Sequence, residues 1–62
     1  MIKFIIQKDG TDVWISDRAI TRLVRVGQFA TQIWTIDGAV IVIGNADDVA
    51  KEIEKERRVY GN

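Results

Sequence analysis

The chain has 62 residues, with nine basic and nine acidic side chains, so its formal net charge is zero. It contains no cysteine and no histidine. This excludes disulfides and any catalytic or metal site that depends on a thiolate or an imidazole. Residues 1–62 therefore make one small domain near the lower size limit for a self-sufficient core, and domains of this kind often gain burial by self-association.

The charge balance and the lengths of the apolar runs also indicate which partners the chain is suited to bind and where it is located. A dedicated nucleic-acid binder more often carries a basic excess, which this chain lacks. No apolar run approaches the roughly 18 residues of a membrane span. Residues 1–6 lack the charged start and the cleavage site of a signal peptide. The sequence predicts a cytoplasmic protein that does not enter a membrane.

The first two predicted strands form a hairpin. Residues 1–7 are rich in isoleucine, and residues 12–15 place Trp14 on one face and their other apolar side chains on the opposite face. Asp9-Gly10 lies between the two segments. An Asp-Gly pair between apolar runs is a strong hairpin signal, because glycine accepts the positive φ that a tight turn requires.

Residues 16–26 are compatible with two structures. Ser16 is a good helix N-cap, and the apolar side chains from 20 to 24 have helical spacing. The same residues also alternate between apolar and polar, and several of them are β-branched, which is typical of a strand. We expect a short helical turn at 16–19 followed by a strand at 20–26.

A second hairpin is predicted from residues 29–36 and 39–43. Asp37-Gly38 joins the two segments and fits a type I′ turn. Residues 39–43 are apolar at every position, which is typical of a strand buried on both faces. We therefore expect the last strand to need cover on two sides.

One helix is predicted to close the chain. Asn45 is a preferred N-cap and Asp48 is its capping-box-like partner, so the helix begins near residue 46 and ends near 57 or 58. Its apolar stripe is narrow. The stripe consists of Val49, Ala50 and Ile53, with Val59 and Tyr60 as an extension. Gly61-Asn62 is expected to be a frayed end.

These elements predict an α+β fold: a five-stranded, twisted antiparallel sheet in the order β-β-β-β-β-α, with one C-terminal helix. One narrow helix cannot cover both faces of such a sheet, so either the face of Val40 and Val42 or that of Ile41 and Ile43 needs other cover. A contiguous apolar patch on a small monomer usually marks an interface. We expect a second copy of the chain there, with a dimer favoured over a small ring, or an unknown protein partner. The candidate interface residues are Ile5, Trp14, Trp34, Val40 and Val42.

Two features allow another interpretation. Trp14 and Trp34 could stack on nucleobases, although strand tryptophans more often lie in a core or an interface. Arg18, Arg22 and Arg25 could bind phosphate or carboxylate groups bidentately. On a helix the three arginines share one face, whereas on a strand Arg22 and Arg25 point to opposite faces. We favour solvated edge-strand charges that discourage aggregation.

No catalytic, metal or cofactor site is predicted. Ser16 is the only serine, and no histidine or cysteine is present to form a nucleophile–base pair. Asp47-Asp48 lacks the ligand spacing of a calcium loop, and the glycine-rich phosphate motifs are absent. The sequence therefore predicts a non-enzymatic, self-associating protein-interaction module. The alternative is a nucleic-acid or anionic-ligand binding protein that uses the three arginines.

The layout of the whole chain resembles the small FlbD/SwrD-type flagellar proteins. The matching segments are Met1-Ile2-Lys3, Asp9-Gly10-Thr11, and residues 16–23, 32–38 and 47–53. This resemblance implies a flagellar accessory protein without assigned catalytic residues. The pattern is also similar to the β-rich half of LytTR-type DNA-binding domains, which would imply DNA binding. Compact oligomeric β-modules also occur as phage-encoded inhibitors of host machinery, which gives a phage regulatory protein as a third setting.

Overall fold

The computed structural model describes the backbone of residues 1–60 and the side chains of residues 1–58. Five strands, one turn of 3₁₀ helix and an α-helix follow one another along the chain. They are β1 (Ile2–Ile5), β2 (Asp12–Ile15), the 3₁₀ turn (Asp17–Ala19), β3 (Ile20–Gly27), β4 (Ala30–Thr35), β5 (Gly38–Ile43) and α1 (Ala46–Tyr60). The predicted frayed end at Gly61-Asn62 and the side chains of Val59 and Tyr60 lie outside this description.

The strands form two antiparallel sheets, so the prediction of a single five-stranded sheet is wrong. β1 pairs with β2, and β3, β4 and β5 form a three-stranded sheet in that order. The link between the sheets is an isolated bridge between Ile6 and Val42, beside which the Gln7 amide donates to the Ile41 carbonyl at 3.0 Å. The Ile2 and Phe4 side chains of β1 pack in the core together with Val42 of β5 and with Val49 and Ile53 of α1.

The core lies between the first hairpin, α1 and one face of the three-stranded sheet, here called the inner face. Its buried apolar side chains are Ile2, Phe4, Ile15, Ile33, Val42, Val49 and Ile53. Thr31 is fully buried on the same face, and its hydroxyl donates to the Gly44 carbonyl at 2.8 Å. This hydrogen bond satisfies the buried hydroxyl, as the low-dielectric interior requires.

The second hairpin turns one residue earlier than predicted. Thr35 pairs with Gly38, so Ile36 and Asp37 occupy the turn. Among the described residues only glycines have a positive φ, which excludes a type I′ turn at Asp37-Gly38. The Thr35 hydroxyl accepts a hydrogen bond from the Asp37 amide at 3.1 Å and donates to the Gly38 carbonyl at 3.0 Å. A threonine side chain, rather than a left-handed aspartate, therefore closes this turn.

The expected helical turn and the strand that follows it are confirmed. The Ser16 hydroxyl accepts a hydrogen bond from the Arg18 amide at 3.3 Å and caps the 3₁₀ turn. The chain then enters β3, whose pairing with β4 shifts register near both ends of the strand. Such irregularities increase the local twist of a sheet edge.

Helix α1 begins as predicted. The Asn45 side chain accepts a hydrogen bond from the Asp48 amide at 2.9 Å, and Asp47 and Asp48 lie in the first turn, where carboxylates complement the helix dipole. An ion pair of 2.8 Å between the Met1 amino group and Glu56 connects the start of the chain to the helix.

Candidate interaction surface

The face of the three-stranded sheet that points away from the core is mostly apolar. Trp34 pairs with Arg22 on one side and with Ala39 on the other, and side chains in paired positions share a face. We call this surface the outer face. Its accessible members are Arg22, Val24, Gln32, Trp34, Ala39, Ile41 and Ile43, whereas Ala30, which pairs with Ile43, is buried. Ile41 is 38% and Ile43 is 50% exposed, so the surface lies open in the single chain.

Trp34 contacts two polar side chains within the outer face. The guanidinium carbon of Arg22 lies 4.7 Å from the centroid of the indole ring, which is within cation–π distance. The indole nitrogen donates to the side-chain oxygen of Gln32 at 3.1 Å. Both partners sit on strands, which fixes their positions relative to the ring. The polar atom of the indole is therefore satisfied within the face, and the rest of the ring contributes apolar surface.

The outer face carries a single formal charge. No aspartate or glutamate occurs between Asp17 and Asp37, and β5 contains none, so all three strands lack carboxylates. The charge of Arg22 is opposed by the electron-rich face of Trp34 rather than by an anion. The surface therefore favours apolar or negatively charged ligands over cationic ones.

The structure places the predicted valines away from this surface. Val42 is 0% exposed and belongs to the core, and Val40 is half-buried and packs against it. Val42 is therefore not accessible to a partner in the single chain, whereas Val40 also lines an open groove beside Trp14. Of the two faces considered for β5, the one with Ile41 and Ile43 is open.

The predicted interface residues Trp14, Trp34 and Ile5 do not form one patch. Trp14 is 56% exposed and lines a separate groove of about 350 Å³ with Thr35 and Val40 of the inner face. Trp34 lies on the opposite, outer face. Ile5 lies beside Ile43 at the margin of the outer face. Sequence reasoning missed three members of this face, which are Val24, Gln32 and Ala39.

The three arginines are dispersed as expected for a strand. Arg22 lies on the outer face. Arg25 pairs with Thr31 in the register of the sheet and forms an ion pair of 3.5 Å with Asp47 at the start of α1, on the inner side. Arg18 is exposed in the 3₁₀ turn. The structure does not bring the three guanidinium groups to one face.

One carboxyl group has a perturbed pKa. The Thr11 hydroxyl donates to Asp9 at 2.7 Å and the Thr11 amide donates at 3.1 Å, and these hydrogen bonds lower the pKa of Asp9. Both residues lie in the exposed turn of the first hairpin. These hydrogen bonds stabilise the turn, and the lowered pKa of Asp9 does not indicate a catalytic or binding site.

Residues 1–60 offer no group of three or more carboxylates that could hold a metal ion. No helix in this part of the chain has the length and apolar content that a membrane crossing requires. No family model, curated protein or solved structure matches the chain. The outer face is therefore interpreted from its own chemistry.

Proposed function

We propose that this protein is a non-enzymatic, self-associating protein-interaction module in which a second copy of the chain covers the outer face. The observation that carries the proposal is an open apolar sheet face, with Ile41 and Ile43 38% and 50% exposed, that contains no carboxylate. A small domain that leaves such a face open gains burial by covering it. The resemblance to FlbD/SwrD-type proteins supports a flagellar accessory role, with a phage regulatory role as the alternative setting, in the cytoplasm in either case.

The size of the face sets the strength of the expected dimer. Six residues at about 3.4 Å each and three strands about 4.8 Å apart give about 300 Å² per copy, or about 600 Å² for two. Stable interfaces bury about 1,200–2,000 Å². At about 25 cal/mol per Å², burial supplies about 15 kcal/mol before an association cost of about 4–15 kcal/mol. The difference spans about 0–11 kcal/mol, and because the buried area is only about half that of a stable interface, we expect a weak, reversible dimer with a dissociation constant of about micromolar to millimolar.

The charge of Arg22 constrains how two copies face each other. A single apolar patch favours a two-fold dimer over a ring, because both copies use the same surface. When β3 of one copy lies over β5 of the other, Arg22 faces Ala39 and the two guanidinium groups stay apart. Two sheets packed face to face in this way keep their strands within about 30° of each other.

Sedimentation equilibrium from about 10 μM to about 1 mM tests the proposal. We expect the wild-type chain to shift from monomer to dimer over this range and Ile41→Lys to remain monomeric. Lysine is preferred to glutamate at this position because a second outer face offers Arg22 but no carboxylate. A wild-type chain that stays monomeric at the highest concentration would overturn the proposal.

A matched variant separates loss of the surface from loss of the fold. Phe29 is 71% exposed at the β3–β4 turn and lies outside the outer face. Phe29→Lys therefore also replaces an exposed apolar side chain with lysine, and we expect it to associate like the wild type. Circular dichroism should show the same fold for both variants. Equal association of Ile41→Lys and Phe29→Lys would contradict the assignment of the outer face.

A further inference from the structure

A groove of about 340 Å³ lies between the edge strand β3 and helix α1. Its apolar lining consists of Ile20, Leu23, Ala50 and Ile53. Two arginines, Arg22 and Arg57, and one acidic residue, Glu54, complete the charged part of the lining. The groove is separate from the outer face except for Arg22, which contributes to both surfaces.

Strand β3 presents a free edge to this groove. It is the longest strand, with eight residues, and its one strand partner in the described chain is β4. An edge strand carries backbone N–H and C=O groups that can pair with another extended segment. Binding sites that add a peptide to a sheet edge combine such an edge with pockets for alternate side chains of the peptide.

We propose that this groove binds an extended, acidic segment of a partner protein, which pairs with β3 as a fourth strand of the sheet. Charge complementarity identifies this occupant. The chain from Arg18 to Ile36 carries three arginines and no carboxylate. In the groove, Glu54 is paired with Arg58 at 3.0 Å and Arg57 with Asp17 at 3.6 Å, which leaves Arg22 as the charged lining residue without a carboxylate partner among the described residues. Carboxylates of the bound segment accept hydrogen bonds from Arg22, and its apolar side chains enter the groove between Leu23 and Ile53.

The site is tested with a blocked six-residue peptide in which valine alternates with glutamate. Titrated into the ¹⁵N-labelled protein, this peptide should give saturable amide shifts confined to β3 and to residues 50–57 of α1. Raising the salt to about 1 M, where the screening length is about 3 Å, should weaken the affinity about tenfold or more. The corresponding valine–lysine peptide should produce no saturable shifts.

Two variants distinguish peptide binding in the groove from self-association through the outer face, on which the proposed dimer depends. Ala50→Glu fills the groove and adds a negative charge, so we expect it to weaken peptide binding about tenfold or more and to leave self-association unchanged. Ile41→Lys should abolish self-association and leave peptide binding unchanged. Loss of one property in the variant designed for the other would show that the two surfaces were assigned wrongly.

Several results would overturn the groove assignment. They are the absence of saturable shifts, equal binding of the valine–lysine peptide, shifts located on the outer face, and wild-type affinity in Ala50→Glu. A thymidine decamer that shifts the same β3 and α1 amides, while the acidic peptide does not, would identify the groove as a nucleic-acid site instead.

Discussion

Arg22 and Trp34 lie directly opposite each other on β3 and β4, with the guanidinium carbon 4.7 Å from the centroid of the indole ring. Three residues further along β3, Arg25 is directed to the other face and pairs with Asp47 at 3.5 Å. The alternation of the strand therefore gives each face one arginine with its own partner. The outer face keeps a single charge held against an aromatic ring, and on the inner side the charge of Arg25 is paired with a carboxylate.

The contact between Arg22 and Trp34 should be measurable as a coupling free energy. At low micromolar concentration, where the chain is monomeric, we expect Arg22→Gln to lower the free energy of unfolding by about 0.5–1 kcal/mol. The same change should have little effect in a Trp34→Leu background, because the ring is then absent. Urea denaturation of the four chains in a double-mutant cycle measures the coupling.

Arg18 provides the control for this cycle, because it is an exposed arginine in the 3₁₀ turn with no aromatic partner on the described side chains. Arg18→Gln should change the free energy of unfolding by less than about 0.5 kcal/mol. A coupling energy of zero between positions 22 and 34 would contradict the cation–π contact.

Gly44 is required by its backbone conformation. Its φ is +131°, and a Cβ atom at this position would meet Val49 Cγ2 at 3.5 Å, which is ordinary van der Waals contact. Backbone strain rather than a clash therefore decides the outcome, and we expect Gly44→Ala to lower the free energy of unfolding by about 1–3 kcal/mol. Urea denaturation measures this difference.

Gly27 offers a matched alanine substitution. Its φ is not positive, and a Cβ atom there would lie 3.9 Å from the Cβ of Ala30. Gly27→Ala should therefore be close to neutral. If the two substitutions lowered the free energy of unfolding equally, the loss of a glycine, and not the positive φ at residue 44, would be the cause of the destabilisation.

The buried hydroxyl of Thr31 links β4 to the end of β5. It is 0% exposed and donates to the Gly44 carbonyl at 2.8 Å. Thr31→Val removes the donor and leaves this carbonyl without its partner, so we expect a loss of about 1–3 kcal/mol in the free energy of unfolding. Thr21 is the control. Its hydroxyl also donates to a backbone carbonyl, that of Trp34, at 3.2 Å, but in an exposed position where water can replace it. A cost for Thr21→Val as large as that for Thr31→Val would contradict this account.

The faces of β4 and β5 could have been assigned more fully from the sequence. Any two-residue turn pairs residues whose numbers differ by three, whether Thr35 with Gly38, as observed, or Ile36 with Ala39, as predicted. Both registers put Trp34 on the same face as Ile41 and opposite to Val42, because a strand alternates with period two. Grouping Trp34 with Val42 in one interface therefore contradicted the pairing itself.

The choice between the two faces of β5 could not be made from the sequence. Residues 39–43 are apolar on both faces, so periodicity gives no preference. Packing decides it, since Val49 and Ile53 of α1 join Val42 in the core. The division into two sheets could not be predicted either, because Ile2 and Phe4 favour a strand whether β1 pairs with β2 alone or also along β5.

The depressed pKa of Asp9 gives a prediction for acid solution. The Thr11 hydroxyl, the larger contributor, and the Thr11 amide both donate to the charged carboxylate. A carboxyl whose pKa is lower in the folded state stabilises the fold above its unfolded pKa, and this stabilisation is lost as the pH falls through the folded pKa. The loss therefore occurs below about pH 3.9, the ordinary pKa of an aspartate.

Thr11→Val removes the hydroxyl donor, so we expect the pKa of Asp9 to rise toward its ordinary value and the acid-dependent loss of stability to become smaller. Carbon-detected NMR of the Asp9 carboxyl as a function of pH measures the first effect, and urea denaturation below about pH 3.9 measures the second. Thr11→Ser keeps the hydroxyl and should keep the pKa of Asp9 low. If Asp9 titrated identically in the wild type and in Thr11→Val, the Thr11 hydroxyl would not be the cause of the shift.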